Sequence, residues 1–197
     1  MNENTQSEQK KPLGSFRPKL AFYHANARGT GGALRMQLHP AHDDTDGCIM
    51  ATLASQLTIG DRRGAVPVHP RFDWENGITI KLDFTDISKM LQVFRGECES
   101  LEGGKGLYHQ SVRATTRINL QHSVEPNQGY LFEVFRTMRN GEEGHAMVFL
   151  APYEALGLTA ALESSMGVIC FGIPMLIEHD TTQYRAAVRE KGNASAA

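Results

Sequence analysis

The sequence predicts an α+β fold in which two tandem β-β-β-β-α repeats form two packed antiparallel sheets with helices at the core. Three observations support this prediction: strands in which apolar and polar residues alternate, an apolar helical segment after each set of strands, and matched residues in the two halves. A chain of 197 residues that is 41% hydrophobic can bury such a core without disulfides or metals. Its 3 cysteines lack C-x-x-C spacing, so we expect free thiols in a reducing compartment.

The strands of the first half are marked by period-two alternation. Residues 34–39 place Leu34 and its apolar neighbours on one face and Arg35 and its polar neighbours on the other. A turn-rich segment separates them from a second strand at 48–57. A long loop at 59–77, punctuated by glycine and proline, precedes a further strand at 78–82.

A helix follows the last of these strands. Asp83 or Thr85 provides the N-cap, and an apolar stripe continues to Phe94. The stripe consists of Ile87, Met90, Leu91 and Phe94. Gly96 could end this helix, and a later end near Ser100 is an alternative.

The second half repeats the first with insertions placed in loops. The matches are Tyr108-His109 with Tyr23-His24, 117–121 with 35–39, 129–135 with 47–53 without a gap, and Met147 with Thr79. A second helix begins at Ala151-Pro152, with proline in the first turn, and extends to Glu163. By alternation, one residue of each Tyr-His pair should point into the core.

These boundaries predict a single pseudo-symmetric domain between two tails. The predicted segments are a disordered tail at 1–17, the domain at 18–179 with repeats at 18–102 and 106–166 and an apolar extension at 167–179, and a flexible tail at 180–197. Surplus apolar residues in the second helix and the extension favour either an oligomer interface or a segment packed within the same domain.

The net charge and the hydropathy of the chain bear on whether it has a basic surface and on whether it contains a membrane-spanning segment. A net charge of −2 and a pI near 6.4 exclude a protein that is basic all over, but they allow a local basic face. The longest apolar stretch, 167–177, is shorter than the roughly 20 residues of a membrane helix, and the N-terminus lacks an apolar signal segment. We therefore expect a cytoplasmic protein that does not act on membranes.

The tandem arrangement of four strands and a helix over residues 18–166 resembles the Whirly family, the kinetoplastid mitochondrial RNA-binding proteins and, as a single half, the PC4-type coactivators. The resemblance rests on element order and spacing. It implies two antiparallel sheets, helices that mediate assembly into a homo-oligomer (dimer or tetramer), and binding of single-stranded DNA or RNA across the sheet surfaces.

Binding of single strands needs cations for phosphates and flat side chains for bases. Arg35 and Arg117 occupy matched outward positions, and Tyr23 and Tyr108 are matched aromatic candidates. The predicted nucleic-acid-binding residues are Arg35, Gln37, His39, Arg117, Asn119, Gln121, Tyr23, Tyr108, Lys19, Arg28 and Arg113. Arg136 and Arg139 lack basic counterparts and are weaker candidates. The alternative is that these are ordinary polar residues of solvent-facing strands.

Other functions have less support. The chain lacks G-x-S-x-G, P-loop and H-E-x-x-H motifs, so we predict no catalytic residues, no enzyme activity and no cofactor. His39, His42, Asp43, Asp44 and Asp46 could ligate a metal, but their setting is typical of a solvated turn, and we predict no metal. The rival hypotheses are a protein-interaction or scaffold module, and a small-molecule or metal-dependent function in the 59–77 loop, which carries Trp74.

Overall fold

The computed structural model describes residues 19–42, 45–61, 66–124 and 128–172. The tails predicted at 1–17 and 180–197 lie outside the described residues, as do residues 173–179 of the predicted apolar extension.

Two antiparallel sheets form the body of the molecule. The first contains β1 (Leu20–His24), β2 (Gly32–His39), β3 (Cys48–Thr58), β4 (Arg71–Phe72) and β5 (Ile78–Leu82). The second contains β6 (Leu107–Gln110), β7 (Ala114–Ser123), β8 (Gly129–Met138) and β9 (Glu143–Leu150), in that spatial order. A helix follows each sheet, so the predicted fold class is confirmed. The short strand β4 is an addition, formed by the 59–77 loop along the end of β3.

Helix α1 (Phe84–Phe94) begins as its sequence indicates. Asp83 is the N-cap: its Oδ1 accepts a hydrogen bond from the Asp86 amide at 2.9 Å, and Asp86 Oδ2 accepts one from the Asp83 amide at 3.2 Å. This reciprocal pair satisfies two amide groups that the first helical turn leaves free. The four residues of the predicted stripe are all buried, and the helix ends just before Gly96.

Helix α2 (Pro152–Phe171) extends beyond its predicted end at Glu163. The helix is longer because the hairpin between β2 and β3 forms hydrogen bonds with its last turn. The amides of Ala41 and Gly47 donate to the carbonyl oxygens of Val168 and Ile169, each at 3.2 Å, and so satisfy acceptors at the helix C-terminus. A Cβ atom at Gly47 would lie 2.6 Å from the Ile169 oxygen, so only glycine permits this approach. Residues 167–171 of the predicted extension are therefore helical.

At 20 residues, α2 is long enough and apolar enough to cross a membrane by length and composition alone. The predicted apolar stretch at 167–177 is shorter than this; the helix that reaches the length begins at Pro152 and includes Glu154 and Glu163. In the structure, Ala155, Leu158 and Leu162 pack one face of α2 into the core. The exposed remainder of α2 carries apolar side chains, such as Tyr153 and Leu156, together with Glu163 and Ser164.

One continuous apolar core joins both sheets and both helices. Its largest fully buried side chains include Phe132, Leu34 and Met90. The backbones of the two sheets come close together where β2 meets β9: a Cβ atom at Gly32 would lie 1.8 Å from the Met147 carbonyl oxygen. Close backbone contact at this point brings the two sheets onto a shared core.

Cross-strand pairing corrects the predicted match between the halves. Arg35 lies opposite Thr52, and Arg117 lies opposite Phe135. If the two arginines are equivalent, Thr52 corresponds to Phe135, a shift of one residue from the ungapped match of 47–53 with 129–135. A slip of one residue exchanges the faces of a strand, so that match was wrong. Thr79 pairs with Thr52 and His145 with Phe135, which makes His145 the counterpart of Thr79 in place of Met147.

Candidate nucleic-acid interface

The face of the second sheet that points away from the core carries a row of four flat side chains. Tyr108 pairs with Arg117, Arg117 with Phe135, and Phe135 with His145, so each of the four strands contributes one residue at the same level. We call Tyr108, Arg117, Phe135 and His145 the second-sheet row. Directly opposed residues on one face of a sheet lie close enough to contact each other.

Three members of the second-sheet row, Arg117, Phe135 and His145, are stacked. The guanidinium carbon of Arg117 lies 4.6 Å from the centroid of the Phe135 ring. The Phe135 and His145 rings are nearly parallel, at 8°, with centroids 4.3 Å apart. Glu133 Oε1 lies 3.3 Å from His145 Nε2 and holds that ring in orientation. Tyr108 is 63% exposed, so it offers an accessible aromatic side chain beside a cation.

A shallow groove of about 390 Å³ runs over the second-sheet row. Arg136 borders it but has a structural task, since its guanidinium donates to the Thr79 carbonyl oxygen of the first sheet and to Thr116 Oγ1 at 3.2 Å. Burial lowers the pKa of Arg136, although a guanidinium stays protonated in proteins. Arg117, by contrast, has a buried Nε without a hydrogen-bond partner among the described residues.

The corresponding face of the first sheet is built differently. At the positions equivalent to Tyr108, Phe135 and His145 it carries Ala21, Thr52 and Thr79, so the predicted match of Tyr23 with Tyr108 was wrong by two residues. Arg35 still has an aromatic partner: its guanidinium carbon lies 4.8 Å from the centroid of Trp74, which comes from the 59–77 loop. A loop insertion therefore supplies the ring that β8 supplies in the second half.

Two further rings complete this aromatic group. The centroid of the Tyr23 ring lies 5.6 Å from that of Phe72 and 6.2 Å from that of Trp74, the latter pair edge to face. Such tilted contacts are the preferred arrangement of aromatic pairs. Tyr23 is 55% exposed.

The predicted binding residues fall in several places. Arg35 and Arg117 are half-buried on the two outward faces, with the exposed Tyr23 and Tyr108 near them. Gln37, His39 and Asn119 are half-buried farther along the same strands, and Gln121 is exposed on β7. Lys19 borders a groove beside α2, Arg28 lies in the β1–β2 turn, and Arg113 lies in the β6–β7 turn.

Four aromatic residues of these faces were missing from the predicted set: Phe72, Trp74, Phe135 and His145. Phe135 and His145 could have been found with the correct register, because both lie on the same level as Arg117. Trp74 had one available signal, as the only tryptophan of the chain in the segment unique to the first half. Its contact with Arg35 spans 39 positions of sequence (74 − 35) and was not predictable from local pattern.

The Tyr-His pairs divide between surface and interior, as alternation predicted. The histidine side chains are 30% and 32% exposed and contact acidic residues: His24 Nε2 lies 2.9 Å from Glu154 Oε2, and His109 Nε2 lies 3.0 Å from Asp86 Oδ2. Each carboxylate also caps the first turn of its helix. Because His24 contacts α2 and His109 contacts α1, each pair joins a strand of one half to the helix of the other.

Within the part of the chain that the structure describes, no three His, Cys, Asp or Glu side chains are placed to hold a metal ion. Residues 43–44 of the turn considered as a metal site lie outside that part.

Comparison with known proteins finds relatives only at the level of structure. No family model matches the chain, and no curated protein matches its sequence. WHY1 of Arabidopsis thaliana superposes with a TM-score of 0.63 at 13% identity, covering 89% of this chain and 94% of that one. The plant transcriptional regulator PBF-2 superposes with a TM-score of 0.58 at 14% identity, covering 89% of this chain and 87% of that one. MRP1/MRP2 of Trypanosoma brucei superposes with a TM-score of 0.53 at 16% identity, covering 78% of this chain and 86% of that one. The chain has the Whirly-like fold expected from its sequence.

Proposed function

We propose that this protein binds single-stranded DNA or RNA on the outward faces of its sheets, acting as a homo-oligomer and without catalysing a reaction. The second-sheet row is the observation that carries this proposal. It places a guanidinium and an exposed aromatic ring side by side on one open face. Single-strand binders combine these two chemical groups, cations for phosphates and rings for bases.

Each residue of the row has a defined role in this proposal. Arg117 stacks on Phe135 and directs its guanidinium edge toward a phosphate, and Tyr108 takes a base on its exposed ring. Phe135, supported by His145, keeps the arginine in place. Arg35 on Trp74 provides a second cation in the first half. The contact of an arginine with a phosphate and the stacking of a base on Tyr108 do not depend on which base is bound.

The net negative charge of the chain is compatible with this proposal because two acidic side chains on the helix side, Glu102 and Glu163, are paired with cations. Glu102 pairs with Lys89 at 2.6 Å, and Glu163 pairs with Arg95 at 2.8 Å. Neutralised acids at a distance repel phosphates weakly in salt solution.

The exposed side of α2 is the proposed assembly surface. Tyr153 and Leu156 are 74% and 73% exposed, and Phe171 at the other end of the helix is 87% exposed. Apolar side chains grouped on one helix face commonly mark a protein contact. The same observation favours the second candidate function, a scaffold that binds a different protein through α2.

A fluorescence-anisotropy titration with labelled oligo-dT, performed at two salt concentrations with duplex DNA as competitor, tests the proposal. We expect salt-dependent binding of the single strand, and we expect Arg117→Ala to reduce the slope of log K against log salt by roughly 0.7 for one lost phosphate contact. The double change of Arg35 and Arg117 to alanine should reduce it further.

Arg95→Ala is the matched control, because Arg95 is an exposed arginine paired with Glu163 on the helix side. It should leave the salt slope unchanged. Absence of single-strand binding at low salt would overturn the proposal. An unchanged slope in the double variant would move the binding surface away from these two faces.

A further inference from the structure

The 59–77 loop builds a cavity on the outward face of the first sheet. We call this cavity, of about 580 Å³, the first-sheet pocket. Its walls combine three aromatic rings with charged side chains: Tyr23, Phe72, Trp74, Arg71, Asp73 and Glu75. A volume of this size lies within the roughly 300–1,000 Å³ of small-molecule sites.

We propose that the first-sheet pocket takes one unpaired nucleobase that carries an exocyclic amino group, and so gives a base preference to the strand. This inference rests on the proposed function, since the base reaches the pocket as part of a bound single strand.

The rings of the pocket favour a flat ligand. Arg35 covers one face of Trp74, and the edge-to-face contact with Tyr23 fixes the orientation of the indole. The Tyr23 ring, being more than half exposed, remains available for stacking. Stacking of a base on an aromatic side chain contributes about 1–3 kcal/mol per base.

The carboxylates determine which bases suit the pocket. Asp73 and Glu75 can only accept hydrogen bonds when ionised, and they repel a phosphate. Hydrogen bonds from Asn76, mainly from its side chain and then from its backbone, lower the pKa of Asp73 and keep it charged. Asn76 bonds each Asp73 oxygen once, at 3.2 and 2.9 Å, which leaves further lone pairs for an incoming donor. Cytosine, adenine and guanine carry an exocyclic amino group with two N–H donors, whereas thymine and uracil offer only the single N–H of ring atom N3.

The second-sheet groove differs in composition. Its rings, Tyr108, Phe135 and His145, all come from strands, and it contains one carboxylate, Glu143, where the first-sheet pocket contains Asp73 and Glu75 beside the loop residue Trp74. We therefore assign base preference to the first sheet and sequence-independent contact to the second.

The experiment uses the full chain and two readouts. Trp74 is the only tryptophan, so its fluorescence reports on the first-sheet pocket, while the anisotropy of a labelled oligonucleotide reports total binding. Oligo-dC and oligo-dT of equal length are compared because both are pyrimidine strands with the same backbone. The titrations are performed at pH 8. We expect saturable quenching of Trp74 and tighter binding of oligo-dC, on the order of tenfold.

Asp73→Asn should bring the affinities for oligo-dC and oligo-dT close together while binding persists. Glu75→Gln, on an exposed turn position, tests the same point if loss of the Asp73 carboxylate disturbs the loop. Glu143→Gln is the matched control, because it removes a carboxylate from the second-sheet groove and should leave the preference intact.

The outcomes separate this inference from the proposed function. Binding detected by anisotropy with equal affinity for oligo-dC and oligo-dT, or without any change in Trp74 fluorescence, overturns the base pocket and leaves single-strand binding standing. Failure of anisotropy to detect either oligonucleotide at low salt overturns the proposed function and this inference with it.

Discussion

Arg117 occupies the centre of the second-sheet row, with its guanidinium over the Phe135 ring. A planar, delocalised cation can stack on a ring and still direct N–H groups sideways to a phosphate. A lysine at this position would keep the charge but lose the stack. Arg35 repeats the arrangement with Trp74, so the same chemistry arises from a strand residue in one half and from a loop residue in the other.

The three cysteines should differ in reactivity. Cys48 is buried in β3, and burial raises the pKa of its thiol, opposed only in part by Lys81, because the thiolate is poorly solvated there. Cys98 and Cys170 are exposed. We expect a disulfide exchange reagent at pH 8 to modify two thiols rapidly and one slowly, with Cys48→Ala removing the slow phase. Three equally fast thiols in the folded protein would contradict the burial of Cys48.

At the scale of elements, helix α1 and helix α2 show different kinds of boundary. The start of α1 is set by Asp83 and Asp86, three positions apart; the sequence limited the N-cap to Asp83 or Thr85, and the structure selects Asp83. The end of α2 depends on amides donated by a hairpin more than 100 residues earlier, since Ala41 bonds Val168. Local caps are visible in sequence, whereas caps supplied by another element are not.

The approach of β2 to β9 should be sensitive to a single methyl group. Gly32→Ala places a Cβ atom against the Met147 carbonyl, so the sheets must separate, and we expect a loss of about 1–3 kcal/mol of unfolding free energy. Chemical denaturation followed by circular dichroism measures this loss. Gly157→Ala is the matched control: nothing lies within 4 Å of its added Cβ in helix α2, so it should be neutral or stabilising by about 0.5–1 kcal/mol. Equal stability of Gly32→Ala and the unaltered protein would rule out the close approach.

At the scale of the whole molecule, His24 and His109 connect the two halves through the capped ends of the helices. His109→Ala removes the imidazole partner of the buried Asp86 carboxylate and leaves it only the Asp83 amide, so we expect the unfolding free energy to fall by about 1–3 kcal/mol. Gln110→Ala, at the exposed neighbouring position on β6, is the control and should change little. A His109→Ala variant as stable as that control would show that the contact does not hold the halves together.

The molar mass of the protein in solution tests the proposed assembly through α2. We expect the unaltered protein to elute as an oligomer in light-scattering chromatography and Leu156→Asp to shift it toward the monomer, because an acid would be buried in an apolar contact. Val112→Asp makes the same change at an exposed apolar position in the β6–β7 turn and should leave the size unchanged. A monomeric unaltered protein would refute homo-oligomerisation and favour a different partner for α2.

The sequence by itself determined the local features of this protein. Alternation placed β2, β3 and β5, the apolar stripe and capping residues placed α1, and the order of strands and helices led to the fold class that the structure confirms. Alternation also predicted that one member of each Tyr-His pair faces inward, and the histidines do. These features depend on residues within a few positions of one another, whose spacing is fixed by helix and strand geometry.

Only the tertiary structure decided which residues meet. The one-residue shift that places Phe135 beside Arg117, the reach of Trp74 over Arg35, and the extension of α2 to Phe171 all depend on contacts between distant segments. Strand register and loop placement are selected by packing across the whole core, so many registers fit the same local alternation. The sheet faces were predictable as surfaces, but the stacked rings that give them their chemistry exist only in the folded chain.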